Sequence, residues 1–253
     1  MTDPELVHLV VAEGVATVTL DSPHNRNALS RQLVAELTDR LANAGASKDV
    51  RAVVLTHTGT TFCAGADLSE ASTGPMTGTA SALLALLRLI VELPRPVIAR
   101  IHGNVRAGGI GLLGACDMVV AGPGSTFAIS EARLGLAAAV ISVTVLPRLD
   151  ARSAARYYLT GEAFDAAEAQ RIGLVTVATD DADGAVATLL ADLKTASPQG
   201  LLESKRLANR SVREAIERHG EEMVELSARL FASEEAHEGM TAFLERRPPR
   251  WSA

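Results

Sequence analysis

The sequence predicts an α/β domain closed by a helical tail. Two observations carry that expectation. Short β-branched runs alternate with segments of helical periodicity through the first three-quarters of the chain. From about residue 182 onward the pattern is helical throughout. A third observation sets the scale: 47% of the 253 residues are hydrophobic and 21% charged, which is enough to bury a core in one large domain with a helical appendage.

In chain order, the runs "LVHLVVA" and "VATVTLD" flank Glu13-Gly14 and predict a hairpin. Ser30 is placed to cap a helix in which Leu33, Val34, Leu37 and Leu41 recur at helical spacing. "VRAVVLTH" reads as a buried strand that runs into a Gly/Thr loop, "TGTTFCAGADL". "STGPMTG" predicts an exposed, mobile loop. "ASALLALLRLIVEL" is a helix stopped by Pro94 and Pro96. "VIARI" is a strand, "HGNVRAGG" a loop and "GIGLLGAC" a helix, followed by the strand "DMVVAG" and the extended segment "STFAISE". "VISVTVLPRL" and "SAARYYLTG" predict helical turns, although the first is rich in β-branched residues. "FDAAEAQRIG" is an amphipathic helix ended by glycine, and "LVTVA" is the last strand.

Composition excludes several classes. A net charge of −6 and 3% aromatics argue against a nucleic-acid surface. No window offers ~18 uninterrupted apolar residues, so no membrane span is expected. Cys63 and Cys116 stand in no metal-binding or disulfide pattern and read as small buried fillers, so no metal site is predicted. The acidic start "MTDPELVH" lacks the regions of a signal peptide, which makes a reducing cytoplasm the expected compartment.

The stretch "GGIGLLG" contains G-x-G-x-x-G at Gly109, Gly111 and Gly114, a spacing used by dinucleotide-binding folds. In such folds the first glycine follows its strand directly. Here "HGNVRAG" intervenes after Ile101, which speaks against that reading. The glycines admit two other readings. The loops "FCAGADL" and "RAGG" each leave a strand and offer small residues with accessible N–H groups, as an oxyanion hole requires. Equally, both are simply tight turns packed under helices.

The chain resembles the crotonase, or enoyl-CoA hydratase/isomerase, superfamily. The motifs "FCAGADL", "PRPVIARIHGNVRAGGIGL", "ACDMVVAG", "FAISEARLGL", "YYLTGEAFDAAEAQRIGLV" and "EGMTAFLERR" fall in its order from residue 5 to 247. The resemblance implies a crotonase (ClpP/crotonase-like) spiral of β-β-α units over residues 1–195. Residues 196–253 would form a C-terminal helical region that builds homotrimers or dimers of trimers. It also implies an acyl-CoA thioester as substrate and no bound cofactor, with Ala66 and Gly108 donating the two oxyanion-hole N–H groups. Arg26, Ala28, Ala64, Asp67 and Leu68 match positions that line CoA. Phe243 and Arg246 match a C-terminal contact often supplied by a neighbouring subunit. Taken alone, Arg26 and Arg246 also read as solvated surface charges.

Two glutamates do the acid–base work in typical hydratases of this superfamily. One maps onto Glu131, in "ISEARLGL"; the other maps onto Gly111. The mainly apolar company of Glu131 suits a raised pKa, against the alternative of a salt bridge to Arg133. Ala107 stands where glycine is common, a mild change on paper. The stretches "EARLGLAAAVISVTVLPRL", with "AVIS" where typical hydratases carry a glycine-rich turn, and "ARYYLTGEAFDAAEAQRIGLV" resemble a subgroup known as methylglutaconyl-CoA or isohexenylglutaconyl-CoA hydratases, which can also carry glycine at the position of Gly111. One glutamate permits enoyl-CoA isomerisation, or hydration if water is held by helpers such as His102, Asn104 or Ser142. The implied function is hydration of a 2-enoyl-CoA in fatty-acid or branched-chain acyl-CoA breakdown. The alternatives are an isomerase using Glu131 alone and a catalytically silent CoA-binding protein. A glutamate grafted at Gly111 is the natural test of what the pocket lacks.

Overall fold

The computed structural model describes residues 4–71 and 76–252. Ten strands form two sheets among them. Strands β1 (Val7–Ala12) and β2 (Val15–Leu20) make the expected hairpin. Glu13 and Gly14 both take positive φ, as a two-residue turn between twisted strands demands. Ser30 caps α1 (Arg31–Ala46) by accepting from Leu33 N at 3.2 Å, and its four periodic apolar residues are all buried.

Three successive β-β-α units then follow. They are β3 (Ala52–His57), β4 (Thr61–Cys63), with the short α2 (Leu68–Ala71) and α3 (Thr77–Glu92); β5 (Val97–Ile101), β6 (Asn104–Arg106) and α4 (Gly108–Ala115); and β7 (Met118–Ala121), β8 (Thr126–Ala128) and α5 (Ala139–Val145). Each unit gives its first strand to one sheet and its second strand to the other. The six-stranded sheet runs β1-β2-β3-β5-β7-β10 and the four-stranded sheet β4-β6-β8-β9. Strands β3, β5 and β7 are parallel and mainly apolar because both faces are largely covered, with Arg100 of β5 reaching Asp183. Val53, Leu55, Val97 and Ala99 face the main core, whereas Val54, Ile98 and Val120 face α8 (Ala182–Thr195).

The predicted loops "TGTTFCAGADL" and "HGNVRAGG" contain β4 and β6. Three-residue strands show no periodicity. Distant pairing makes them, through Thr61↔Asn104, Cys63↔Val105 and Val105↔Phe127. In "FDAAEAQRIG", β9 (Phe164–Asp165) pairs with β8, and α7 (Ala166–Arg171) starts one residue later under an Asp165 cap. The "LVTVA" strand shortens to β10 (Val177–Ala178). The expected loop at "STGPMTG" falls largely outside the described residues. Met76, at its end, is buried, and Thr77 already opens α3.

Helices α6 (Ala151–Thr160), α9 (Pro198–Ala208), α10 (Arg210–Phe231) and α11 (Glu234–Leu244) complete the chain. The tail is fastened to the α/β core by polar groups. Lys205 Nζ, almost fully buried, contacts Asp117 Oδ2 at 2.8 Å and the carbonyls of Ile90 and Arg95. Asp117 also accepts from Val97 N and Asn209 Nδ2, and Arg148 donates to Asn209 Oδ1 at 2.6 Å. With this many partners, the buried charges are compensated rather than stranded.

Every residue of α4 is buried. A Cβ at Gly108 would lie 2.7 Å from Leu29 Cδ1, at Gly109 2.7 Å from Cys63 Cβ, at Gly111 2.4 Å from Ile141 Cγ2, and at Gly114 2.8 Å from the Thr144 carbonyl oxygen. The glycine spacing is thus a packing requirement of one helix pressed against β4 and α5. Gly114→Ala sets a methyl against backbone that cannot yield. It is expected to destabilise the fold by about 2 kcal/mol, the usual cost of overpacking. Thermal unfolding should show a Tm lower by about 5 °C.

Candidate active site

A cavity of about 860 Å³ opens between the two glycine loops and the Glu131 turn. Its wall includes Arg26, Ala28, Ala64, Ala66, Asp67 and Gly108, with Glu131 and Phe243 closing other sides. Most of the predicted site residues therefore converge. The backbone of Leu68 opens α2, while its side chain lies outside the described residues. Arg246 is exposed and is not among the residues lining the cavity. Phe243 comes from the same chain, because α11 packs against the Glu131 turn: a Cβ at Gly239 would meet the Leu134 carbonyl at 2.4 Å. The expected helpers stand elsewhere. His102 stacks on His57 at 4.1 Å between ring centroids, and Asn104 Oδ1 accepts from Arg106 and Thr126. Ser142 lies on α5 but is not part of the cavity wall.

Three loops converge on the donors. Leu29 N donates to Gly65 O at 2.8 Å and Ala64 N to Arg26 O at 3.1 Å. Asn27, missed by the sequence reading, is fully buried between Arg26 and Ala28. Its amide takes Ser22 N and donates to the carbonyls of Thr58 and Thr61, so it pins the loop that carries Arg26. The run "NRN" held that signal, since a buried asparagine commonly serves loop backbone. Among the described residues, Arg26 forms no ion pair.

Gly65 lies against the second loop, where its Cβ would be 2.7 Å from Ala107 Cβ and 3.5 Å from Gly108 N. The Ala66 and Gly108 N–H groups belong to these two adjacent loops. Neither has an acceptor among the described residues. Gly108 opens α4, where the helix leaves its first N–H groups unpaired and its dipole favours negative charge. Ala107 is not the mild change it looks in sequence. It takes φ 47° and ψ −118°, a conformation costly for any residue with a Cβ.

Glu131 opens a 3₁₀ turn, Glu131–Leu134, and faces the cavity. Its Oε2 is buried without a hydrogen-bond partner. Burial pushes its pKa up to about 7, opposed by its own backbone N–H. The expected alternative partner, Arg133, donates Nε to Thr160 O at 2.8 Å instead. The other carboxylate on the wall, Asp67, accepts from Ser69 N and Oγ. Ile141 lines the cavity and fills the space where a side chain at residue 111 would project, so a glutamate grafted at Gly111 alone has no room. Cys63 and Cys116 are free and buried, and burial pushes both thiols up to about 12, which makes them inert fillers. Among the described residues, no cluster of His, Cys, Asp or Glu is arranged to hold a metal ion.

Free amide dipoles beside one buried carboxyl of raised pKa make a site for stabilising an enolate and moving a proton near neutral pH. Residues 11–253 match the sequence profile of the enoyl-CoA hydratase/isomerase family. The crystal structure of an enoyl-CoA hydratase from Mycobacterium avium is 54% identical, superposes with a TM-score of 0.92, and covers 98% of this chain and 99% of its own. The 2,3-dehydroadipyl-CoA hydratase of Escherichia coli is 31% identical over 239 residues, 93% of this chain and 94% of the relative. The mevalonyl-coenzyme A hydratase of Aspergillus fumigatus is 31% identical over 249 residues, 94% and 91% respectively. The chain belongs to the enoyl-CoA hydratase/isomerase family, the crotonase superfamily, and is an enzyme of that class.

Two predictions come from this geometry. Because the folded-state pKa of Glu131 is raised from 4.5 to about 7, its proton is held more tightly in the folded chain. The linked stability is fully present below about pH 4.5 and is lost as the pH rises to about 7, a loss of about 3 kcal/mol. Glu131→Gln cannot ionise. It is expected to melt at a higher temperature than the wild type at pH 8 and to converge with it near pH 4.5. Ala107→Gly relieves the positive-φ strain and is expected to stabilise the fold by about 1 kcal/mol in a denaturant titration.

Proposed function

We propose that the protein adds water across the double bond of a 2-enoyl-CoA. The observation that carries this reading is the cavity wall shared by Glu131, with its raised pKa, and the unpaired N–H groups of Ala66 and Gly108. In this reading the thioester oxygen sits between the two N–H groups. Ionised Glu131 takes a proton from water as the water oxygen bonds to C3. The C2=C3 π pair moves toward C2 and the thioester oxygen, giving an enolate that the two dipoles stabilise, each worth about 3 kcal/mol. Glu131 then returns the proton to C2. One carboxyl serves as base and then acid, so water is consumed and the enzyme is regenerated.

Exposed Arg26 is suited to the CoA phosphates, with Ala28, Ala64, Asp67 and Leu68 along the CoA body and Phe243 and Arg246 as C-terminal contacts. Relatives named 2,3-dehydroadipyl-CoA hydratase and mevalonyl-coenzyme A hydratase favour an acyl-CoA as the substrate, and the reading places this hydration in fatty-acid or branched-chain acyl-CoA breakdown. A homotrimer or dimer of trimers built on residues 196–253, acting in the cytoplasm, completes the reading. No described helix is long and apolar enough to cross a membrane.

One observation favours a second reading. Ile141 fills the place beside Gly111, so no second carboxylate can stand there, and Asp67, the other carboxylate on the wall, is held by Ser69. Isomerisation of a 3-enoyl-CoA needs only one base to carry a proton from C2 to C4. The two reactions have opposite optical signatures: hydration removes the conjugated-enoyl absorbance of a 2-enoyl-CoA, and isomerisation creates it from a 3-enoyl-CoA. One preparation assayed both ways is expected to show the first, with loss of at least about 100-fold in Glu131→Gln. Gain of absorbance alone would establish the isomerase. Turnover of neither substrate class would leave a CoA-binding protein.

A further inference from the structure

Behind the Glu131 carboxyl lies a group the acid–base chemistry has not used. Glu131 Oε2 and the Tyr158 hydroxyl are both buried, and neither has a hydrogen-bond partner. They are near enough that a charge on Glu131 raises the phenol's pKa beyond what burial alone does. Helix α6 delivers Tyr158, and its last turn is fastened to the Glu131 turn. Arg133 Nε bonds Thr160 O, and a Cβ at Gly161 would meet the Arg133 side chain at 3.0 Å. The preceding Tyr157 turns into the core, where it packs on Phe164 and gives its hydroxyl to Glu168 at 2.6 Å. One residue further is about 100° round the helix, which takes Tyr158 off that face.

An unpaired carboxyl oxygen and an unpaired phenol in one dry region are each costly, and a single hydrogen bond between them removes both costs. A phenol donates to a carboxylate and so favours its charged form. We propose that Tyr158 is a positioning residue for Glu131, its hydroxyl closing on Oε2 when Glu131 ionises and holding the carboxylate toward the cavity. The proposal deepens the reading of Glu131 as the proton-transfer group and rests on it.

The other charged groups around this turn are engaged elsewhere. Arg133, on the turn itself, bonds Thr160 O, and Arg156 on α6 pairs with Glu162. On α11, Glu238 takes Arg247 and Arg250, and Glu235 packs its backbone on Gly135. Glu234 and His237 also belong to α11, and α5 carries no titratable side chain. Across the cavity, Arg106 bonds Val105 O, Thr126 O and Asn104 Oδ1, and Asp67 is held by Ser69. No side chain among the described residues donates to Glu131 Oε2.

The test follows the Glu131 titration by carboxyl ¹³C NMR in protein labelled at glutamate, with the resonance assigned by its loss in Glu131→Gln. Tyr158→Phe removes the hydroxyl and keeps the ring. Its Glu131 midpoint is expected to be higher than wild type by about one pH unit, a tenfold change in the ionisation constant. Equal or lower midpoints overturn the proposal. In the unaltered protein, the Tyr158 Cζ resonance is expected to step at the Glu131 midpoint. A Cζ resonance indifferent to that titration overturns it, whether or not the variant folds. In turnover, the acid limb of kcat/KM should move up by the same amount in Tyr158→Phe. A loss of rate with the acid limb unmoved marks a merely structural role and overturns it. The NMR titrations do not depend on turnover. Shifted midpoints in a protein that turns over no enoyl-CoA would uphold the Tyr158–Glu131 pairing and sink the hydratase reading instead.

Discussion

The site depends on the close packing of α4. A helix buried on every side, with glycines where β4, α5 and Leu29 press upon it, has one place to sit. Its seat determines where the Gly108 N–H points and how near that N–H lies to the Gly65–Ala66 loop. The strained Ala107 joins β6 to this helix, so the turn absorbs what the packing will not. The buried Lys205–Asp117 cluster holds the far side: Asp117 follows α4 closely in sequence and carries the tail helices on its oxygens.

The same packing decides the electrostatics. Small residues leave N–H groups accessible for lack of any nearby acceptor, while apolar side chains strip water from the Glu131 carboxyl. A donor pair and a reluctant carboxylate are complementary when the bound group is a thioester on its way to an enolate. Ile141 contributes by exclusion. It occupies the space beside Gly111 and leaves Glu131 as the carboxyl of raised pKa on the wall.

Much of this was legible in sequence. The hairpin, α1 with its Ser30 cap, α3 and the apolar strands β3, β5 and β7 announce themselves because their signals are local. They are turn chemistry, a capping side chain and unbroken periodicity. β4, β6 and β9 escaped because two or three residues carry no period and become strands only through distant partners. The convergence of Ala66, Gly108 and Glu131 was expected from motif resemblance rather than from periodicity, since these residues lie far apart in the chain. Asn27 and Tyr158 escaped because a buried amide or phenol looks in sequence like any other polar or aromatic residue.

By itself the sequence determined the α/β class, the helical tail, the two small-residue loops and the single glutamate among apolar neighbours. Those are matters of composition and order, and they need no coordinates. Only the tertiary structure decided what the glycines of "GGIGLLG" are for. Their meaning is the absence of a side chain, and that absence shows its purpose only when the atoms filling the space are known. The same holds for Ala107, whose strain is a backbone angle, and for Glu131, whose raised pKa is a property of its surroundings rather than of the residue.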